Sequence, residues 1–85
     1  GVGDLAGAVD FVLAFAVVHE LPSVAAFFEE AFAALKPGGR LLLAEPALHV
    51  TGTAFDGELA EACRAGFTVL ERPKIRQCRA ALLER

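Results

Sequence analysis

The chain has 85 residues, 55% of them apolar and 22% charged, a balance that excludes a disordered tail and allows one small domain burying about 60 to 65% of its unfolded surface. The formal net charge is −3, too mild to define a polyanionic or polycationic protein. The longest uncharged apolar run, Phe11 to Val18, falls well short of the roughly 20 residues that cross a bilayer, so no membrane partner is expected. The start lacks a secretory pattern, and a cytoplasmic location is expected.

Gly1 to Ala8 is glycine-rich and reads as a loop. Val9 to Phe15 then forms an apolar run without alternation, the pattern of a strand covered on both faces. Leu21-Pro22-Ser23 breaks it, with Ser23 as N-cap of a helix whose Val24, Phe27, Phe28, Ala31 and Leu35 recur at helical spacing. This helix is expected to run to Lys36-Pro37-Gly38-Gly39, where a cation, a proline and two glycines stop it. Arg40 to Glu45 is the second strand, ended by Pro46.

Further along, Thr53-Ala54-Phe55-Asp56 has capping-box spacing and opens a second helix, with Phe55, Leu59, Ala62 and Cys63 on its buried face and Gly66 closing it. Phe67 to Glu71 is a third strand. After Arg72-Pro73-Lys74, Gln77 to Leu83 is a fourth that pairs back antiparallel. The order β-α-β-α-β-β gives an α/β fold, a partial Rossmann-like sheet with parallel pairing through two crossovers and a closing antiparallel hairpin. Both helices should lie on one face, leaving an apolar face for something else to cover.

Cys63 and Cys78 lack CxxC spacing and are expected to be free thiols packed as small apolar groups. Arg64, Arg72, Lys74, Arg76, Arg79 and Arg85 crowd the last third, but no aromatic follows Phe67 among them, so they read as a solvated face and no nucleic-acid partner is expected. The count of methionines is zero, which fits a piece of a longer chain.

In an open parallel sheet, ligands bind beyond the carboxyl ends of the strands. The polar residues expected at that edge are His19, Glu20, Glu45 and His49, with Thr51 and Thr53 nearby. His19 and Glu20 either cap a turn or border a site. Glu45 either pins loop backbone or lines the site. His49, on a loop, is a candidate general base, since imidazole titrates near neutrality. Nothing in the sequence fixes the distances among His19, Glu45 and His49, and no metal is expected.

The stretch VDFVLAFAVVHELPSVAAFFEEAFAALKPGGRLLLAEP resembles the second half of class I S-adenosylmethionine-dependent methyltransferases, from the fourth strand of their sheet to the end of the fifth. The marks are Asp10 opening the strand, the His19-Glu20 pair after it, and LKPGG before a strand ending in Glu45-Pro46. The tail AGFTVLERPKIRQCRAALLER looks like the family's final hairpin.

The resemblance implies S-adenosylmethionine as cofactor, with Ala14, Phe15 and Ala16 beside it, Glu20, Glu45, Pro46 and His49 near the substrate, and His19 and His49 as the candidates for a catalytic base. It gives Asp10 and Lys36 to Gly39 a structural role. The family's glycine-rich loop and its ribose-holding acid have no counterpart here, and Asp4 reads as loop. The expected protein is therefore the C-terminal part of a methyltransferase domain acting on a small molecule, inactive by itself. Its partner is either the missing N-terminal half or a self-associating copy. The alternative is a non-catalytic binding or dimerisation module that completes its sheet with a partner chain.

Overall fold

The computed structural model describes residues 6–16 and 18–85. The expected loop over Gly1 to Ala8, Asp4 included, lies outside the described residues for its first five positions and is a turn over the rest. The elements follow as β1 (Val9–Phe15), a single 3₁₀ turn (Val18–Glu20), α1 (Val24–Ala34), β2 (Leu35–Pro46), α2 (Gly52–Ala65), β3 (Thr68–Glu71) and β4 (Cys78–Glu84).

The strands form one sheet in the order β1-β2-β4-β3. β1 and β2 are parallel, as the intervening helix requires, and β4 is antiparallel to both β2 and β3. One expectation is corrected here: β3 does not pair with β2, because β4 inserts between them. β4 is the better interior strand, since Ala80, Ala81 and Leu83 are buried and present apolar side chains to both faces. β3, with only four residues, mostly exposed, takes the edge.

α1 begins where expected, with Ser23 Oγ accepting the Ala26 N–H at 3.1 Å. It ends earlier than the apolar periodicity suggests, at Ala34. Leu35 is already extended (φ −75°, ψ 144°) and pairs with Val9, while its N–H still bonds the Ala31 carbonyl. Pairing then jumps from Val9↔Leu35 to Phe11↔Arg40, so Lys36 to Gly39 bulge out of the ladder. Gly38 takes φ +82°, and a Cβ on Gly39 would stand 2.8 Å from the Lys36 carbonyl. Lys36 Nζ lies 3.1 Å from Asp10 Oδ1 across the bulge.

Arg85 holds the same corner from the other end of the chain. Its backbone accepts from Gly38 and donates to Gly39, and its Nη1 donates to the carbonyls of Phe32 at 2.8 Å and Leu35 at 2.5 Å. The guanidinium lies 4.5 Å from the Phe32 ring centroid. One side chain thus serves the C-terminal carbonyls of α1 and its negative dipole end.

α2 starts two residues before the capping-box position. Thr51, not Thr53, is the N-cap, accepting the Ala54 N–H at 3.1 Å. Gly66 ends the helix at φ 117°. Its buried stripe is Phe55, Glu58, Leu59 and Ala62. Cys63 is exposed and Cys78 half-buried, which corrects the expectation that both thiols pack inside: Cys63 follows Ala62 round the helix and rotates away from the sheet.

The two helices pack on each other over one face of the sheet, enclosing Phe28, Phe55, Leu35, Leu41, Leu43 and Leu83. The opposite face is open at β1, where Phe11, Leu13 and Phe15 are 52%, 62% and 54% exposed. Among the described residues, no helix is long and apolar enough to cross a membrane.

Candidate functional site

β1 and β2 run side by side to the same edge, with Phe15 opposite Ala44. Past that register β1 leaves the sheet through Ala16, whose N–H still reaches the Ala44 carbonyl at 2.9 Å but whose φ is 58°. A left-handed alanine costs of order 1 kcal/mol and marks a forced change of direction. The chain then turns through Val18–Glu20 and sets His19 beside the end of β2.

β2 ends in a carboxylate because that carboxylate receives this turn. Glu45 is fully buried, on the helix-covered side with Leu41 and Leu43. Its Oε2 accepts the backbone N–H of His19 at 3.0 Å and lies 3.0 Å from His19 Nδ1. Of the two roles considered for Glu45, the structure shows the first: it pins loop backbone, and the same oxygen contacts the His19 ring. The His19 side chain keeps 23% of its surface exposed. Its outer nitrogen, Nε2, is 3.8 Å from Glu20 Oε1 on a side chain that is 74% exposed.

Pro46 carries the chain into the next turn, where its carbonyl accepts the N–H groups of His49 at 3.1 Å and Val50 at 3.0 Å. This brings His49 to the same edge, exposed. Its ring lies parallel to that of His19 within 5°, with centroids 6.5 Å apart. Thr51 is engaged as the α2 cap. Of the residues expected at the site, His19, Glu20, Glu45 and His49 thus converge, with Pro46 as the pivot. Ala14 is buried in the core against the helices and Phe15 points to the open face, so of the three expected cofactor residues only Ala16 stands at the edge itself.

Sequence reasoning missed two members of this corner. Glu58 is buried at 6% exposure on the α2 stripe. Burial first, and then the charge of Glu45 and the hydrogen bond that only a protonated Glu58 can make to it, push the Glu58 carboxyl from 4.5 up to about 8. The available signal was a glutamate standing three residues after Phe55 and directly before Leu59, inside an apolar stripe. Arg79 faces Glu45 across the β2–β4 ladder and donates Nε to the Val50 carbonyl at 2.7 Å. Only the register reveals it.

Among the described residues, no group of three His, Cys, Asp or Glu side chains is arranged to hold a metal ion. What the corner offers instead is an imidazole held on its inner nitrogen by a buried carboxylate, with its outer nitrogen toward the sheet edge.

The family model described as a methyltransferase domain matches residues 2–78. No curated protein matches the chain. Among solved structures, an S-adenosylmethionine-dependent methyltransferase from Mesorhizobium loti superposes with a TM-score of 0.78 at 12% identity, over 94% of this chain and 63% of that one. A SAM-dependent methyltransferase from Aquifex aeolicus gives 0.75 at 21% identity, over 93% and 47%. A 16S rRNA methyltransferase from T. thermophilus, in complex with AdoMet and guanosine, gives 0.63 at 29% identity, over 93% and 20%. The chain therefore spans less than two thirds of each of these proteins.

Proposed function

Because the chain belongs to the methyltransferase-domain family, we propose that it is the C-terminal part of an S-adenosylmethionine-dependent methyltransferase in which His19 is the general base. The observation that carries the assignment of His19 is its clamp: Glu45 fixes both its backbone and its inner nitrogen at 3.0 Å. Of the Ala14-Phe15-Ala16 stretch, Ala16 at the end of β1 stands at the sheet edge and supplies the wall for the cofactor, with Ala14 packed behind it in the core. The small side chain and the sharp turn at Ala16 suit the close approach of a flat ligand. When bound, the cofactor supplies an electrophilic methyl group on a sulfonium.

The chain's own residues position and deprotonate the acceptor. His19 takes the proton of the acceptor's O–H or N–H at Nε2, and Glu20, 3.8 Å away, steadies the imidazolium that results. His49, with its ring parallel to His19, borders the acceptor from the loop after Pro46. Wall and base without the rest of the cofactor pocket give weak binding and little turnover, so the 85 residues alone are inactive in this reading.

A small-molecule acceptor fits best. The arginines of the last third are largely engaged within the fold: Arg64 with Glu61, Arg72 with Asp56, Arg79 with the Val50 carbonyl and Arg85 with the end of α1. They do not form a free track for a phosphate backbone. The T. thermophilus relative acts on rRNA, and a steep loss of RNA binding with salt would favour that class here.

The coding sequence upstream of Gly1 tests the whole reading. An in-frame strand followed by a G-x-G loop, with an acid about twenty residues on, supports it; isothermal titration of the completed protein with S-adenosylmethionine should then show binding that is lost in the 85 residues alone. A stop codon close upstream favours a second reading, carried by the exposed Phe11, Leu13 and Phe15: a module that completes its sheet with a partner chain or a second copy. Sedimentation showing a defined dimer without cofactor affinity would establish that alternative.

A further inference from the structure

Glu58 has no part in the reaction drawn above, yet it is buried on the face of α2 that meets the sheet. Its neighbour is Glu45, buried on β2. Two carboxylates cannot hydrogen-bond each other, because both only accept. In keeping with this, Glu45 Oε1 and Glu58 Oε1 are buried with no hydrogen-bond partner among the described residues. A single proton between the two side chains supplies the missing donor. The environment that pushes the Glu58 carboxyl up to about 8 places that proton on Glu58 at neutral pH.

We propose that Glu58 and Glu45 are a proton-sharing positioning pair that sets the tautomer of His19: Glu58 donates to Glu45 Oε1, Glu45 Oε2 accepts the backbone N–H and the Nδ1–H of His19, and Nε2 is left with its lone pair free. The chemistry follows from donor and acceptor counts. Glu45 Oε2 already accepts the His19 backbone N–H at 3.0 Å, and the ring nitrogen at the same distance must donate to it as well. A neutral imidazole with its hydrogen on Nδ1 has its only basic lone pair on Nε2. The pair thus chooses which atom of His19 can take a proton, and it does so from α2, through a residue on that helix's buried stripe.

The other titratable or charged groups at this corner leave the arrangement intact. Glu20 stands 3.8 Å from Nε2, beyond hydrogen-bond distance. His49 lies parallel to His19 without a hydrogen bond to it. Arg79, across the ladder from Glu45, spends its Nε on the Val50 carbonyl. Asp56, on α2, faces Arg72.

The role of Glu58 rests on the assignment of His19 as base, but its test does not use methyl transfer. Ring-nitrogen shifts of the ¹⁵N-labelled chain report the His19 tautomer, and the ¹³Cδ resonance of Glu58 reports its titration. The expected result is the Nδ1–H form for neutral His19, retained in Glu58→Gln, whose amide still donates to Glu45. In Glu45→Gln the Glu58 titration should move acid-ward by more than about one pH unit, because the neighbouring charge is gone. An Nε2–H tautomer in the wild-type chain, or a Glu58 titration unmoved in Glu45→Gln, overturns the proposal. Should Glu45→Gln lose its native amide dispersion, the wild-type tautomer and its retention in Glu58→Gln decide. All these readings are taken without cofactor or acceptor, so they hold or fail separately from the methyltransferase reading, which the cofactor titration tests.

Discussion

Glu45 Oε2 reaches the backbone nitrogen and Nδ1 of His19 at the same distance, 3.0 Å, across 26 residues of sequence. One buried oxygen therefore ties the turn after β1 to the end of β2. Replacing Glu45 with Ala leaves the His19 N–H without its acceptor and lets the turn move. A loss of about 2 kcal/mol in urea unfolding is expected, with amide exchange at His19 and Glu20 accelerated more than in the strands. Unchanged exchange there would show that the turn is held by other contacts.

The pH dependence of stability should carry the signature of Glu58. Its folded value is raised from 4.5 to about 8, so its contribution is fully present below 4.5, declines as pH rises toward about 8, and is constant above that. Glu58→Gln lacks this term. Urea midpoints of wild type and Glu58→Gln should therefore diverge progressively between those limits, with the wild type losing ground. A constant difference across the window would mean that Glu58 folds with an ordinary carboxylate pKa.

Gly66 closes α2 at φ 117°, and a Cβ there would lie 2.8 Å from Cε2 of Phe32 on α1. Gly66→Ala combines a disfavoured backbone with a clash between the two helices. A destabilisation of about 1 to 3 kcal/mol is expected by thermal or urea unfolding. Adding Phe32→Leu should recover the steric part and leave the backbone part, which a double-mutant cycle separates.

Arg85→Ala removes hydrogen bonds to the carbonyls of Phe32 and Leu35 and the contact with the Phe32 ring. The last turn of α1 should fray, at a cost of about 1 to 2 kcal/mol. Arg85→Lys should restore only part of it, since a single ammonium cannot serve two carbonyls and stack on the ring in the same geometry. Equal stability of Lys and Ala variants would point to the planar fork as the whole contribution.

By itself the sequence determined the elements and their order. Val9 to Phe15, the Ser23 cap, Pro46, the Gly66 stop and the final antiparallel strand are all local signals, each set by backbone stereochemistry or by the period of the apolar residues, and each appears where those rules put it. The gathering of His19, Glu20, Glu45 and His49 at one edge followed from parallel pairing of two strands joined by a helix. Tertiary structure alone decided the rest. The early end of α1 and the bulge at Lys36 to Gly39 come from Leu35 pairing with Val9 and from Arg85 reaching back across the sheet. The place of β4 between β2 and β3 comes from competition for two ladder edges that no single segment records. Glu58 joins Glu45 only because the tertiary fold brings the buried stripe of α2 and the buried face of β2 into one interior. Contacts between residues far apart in the chain are set by packing and register, and the protonation of a buried carboxylate depends on which neighbours that packing delivers.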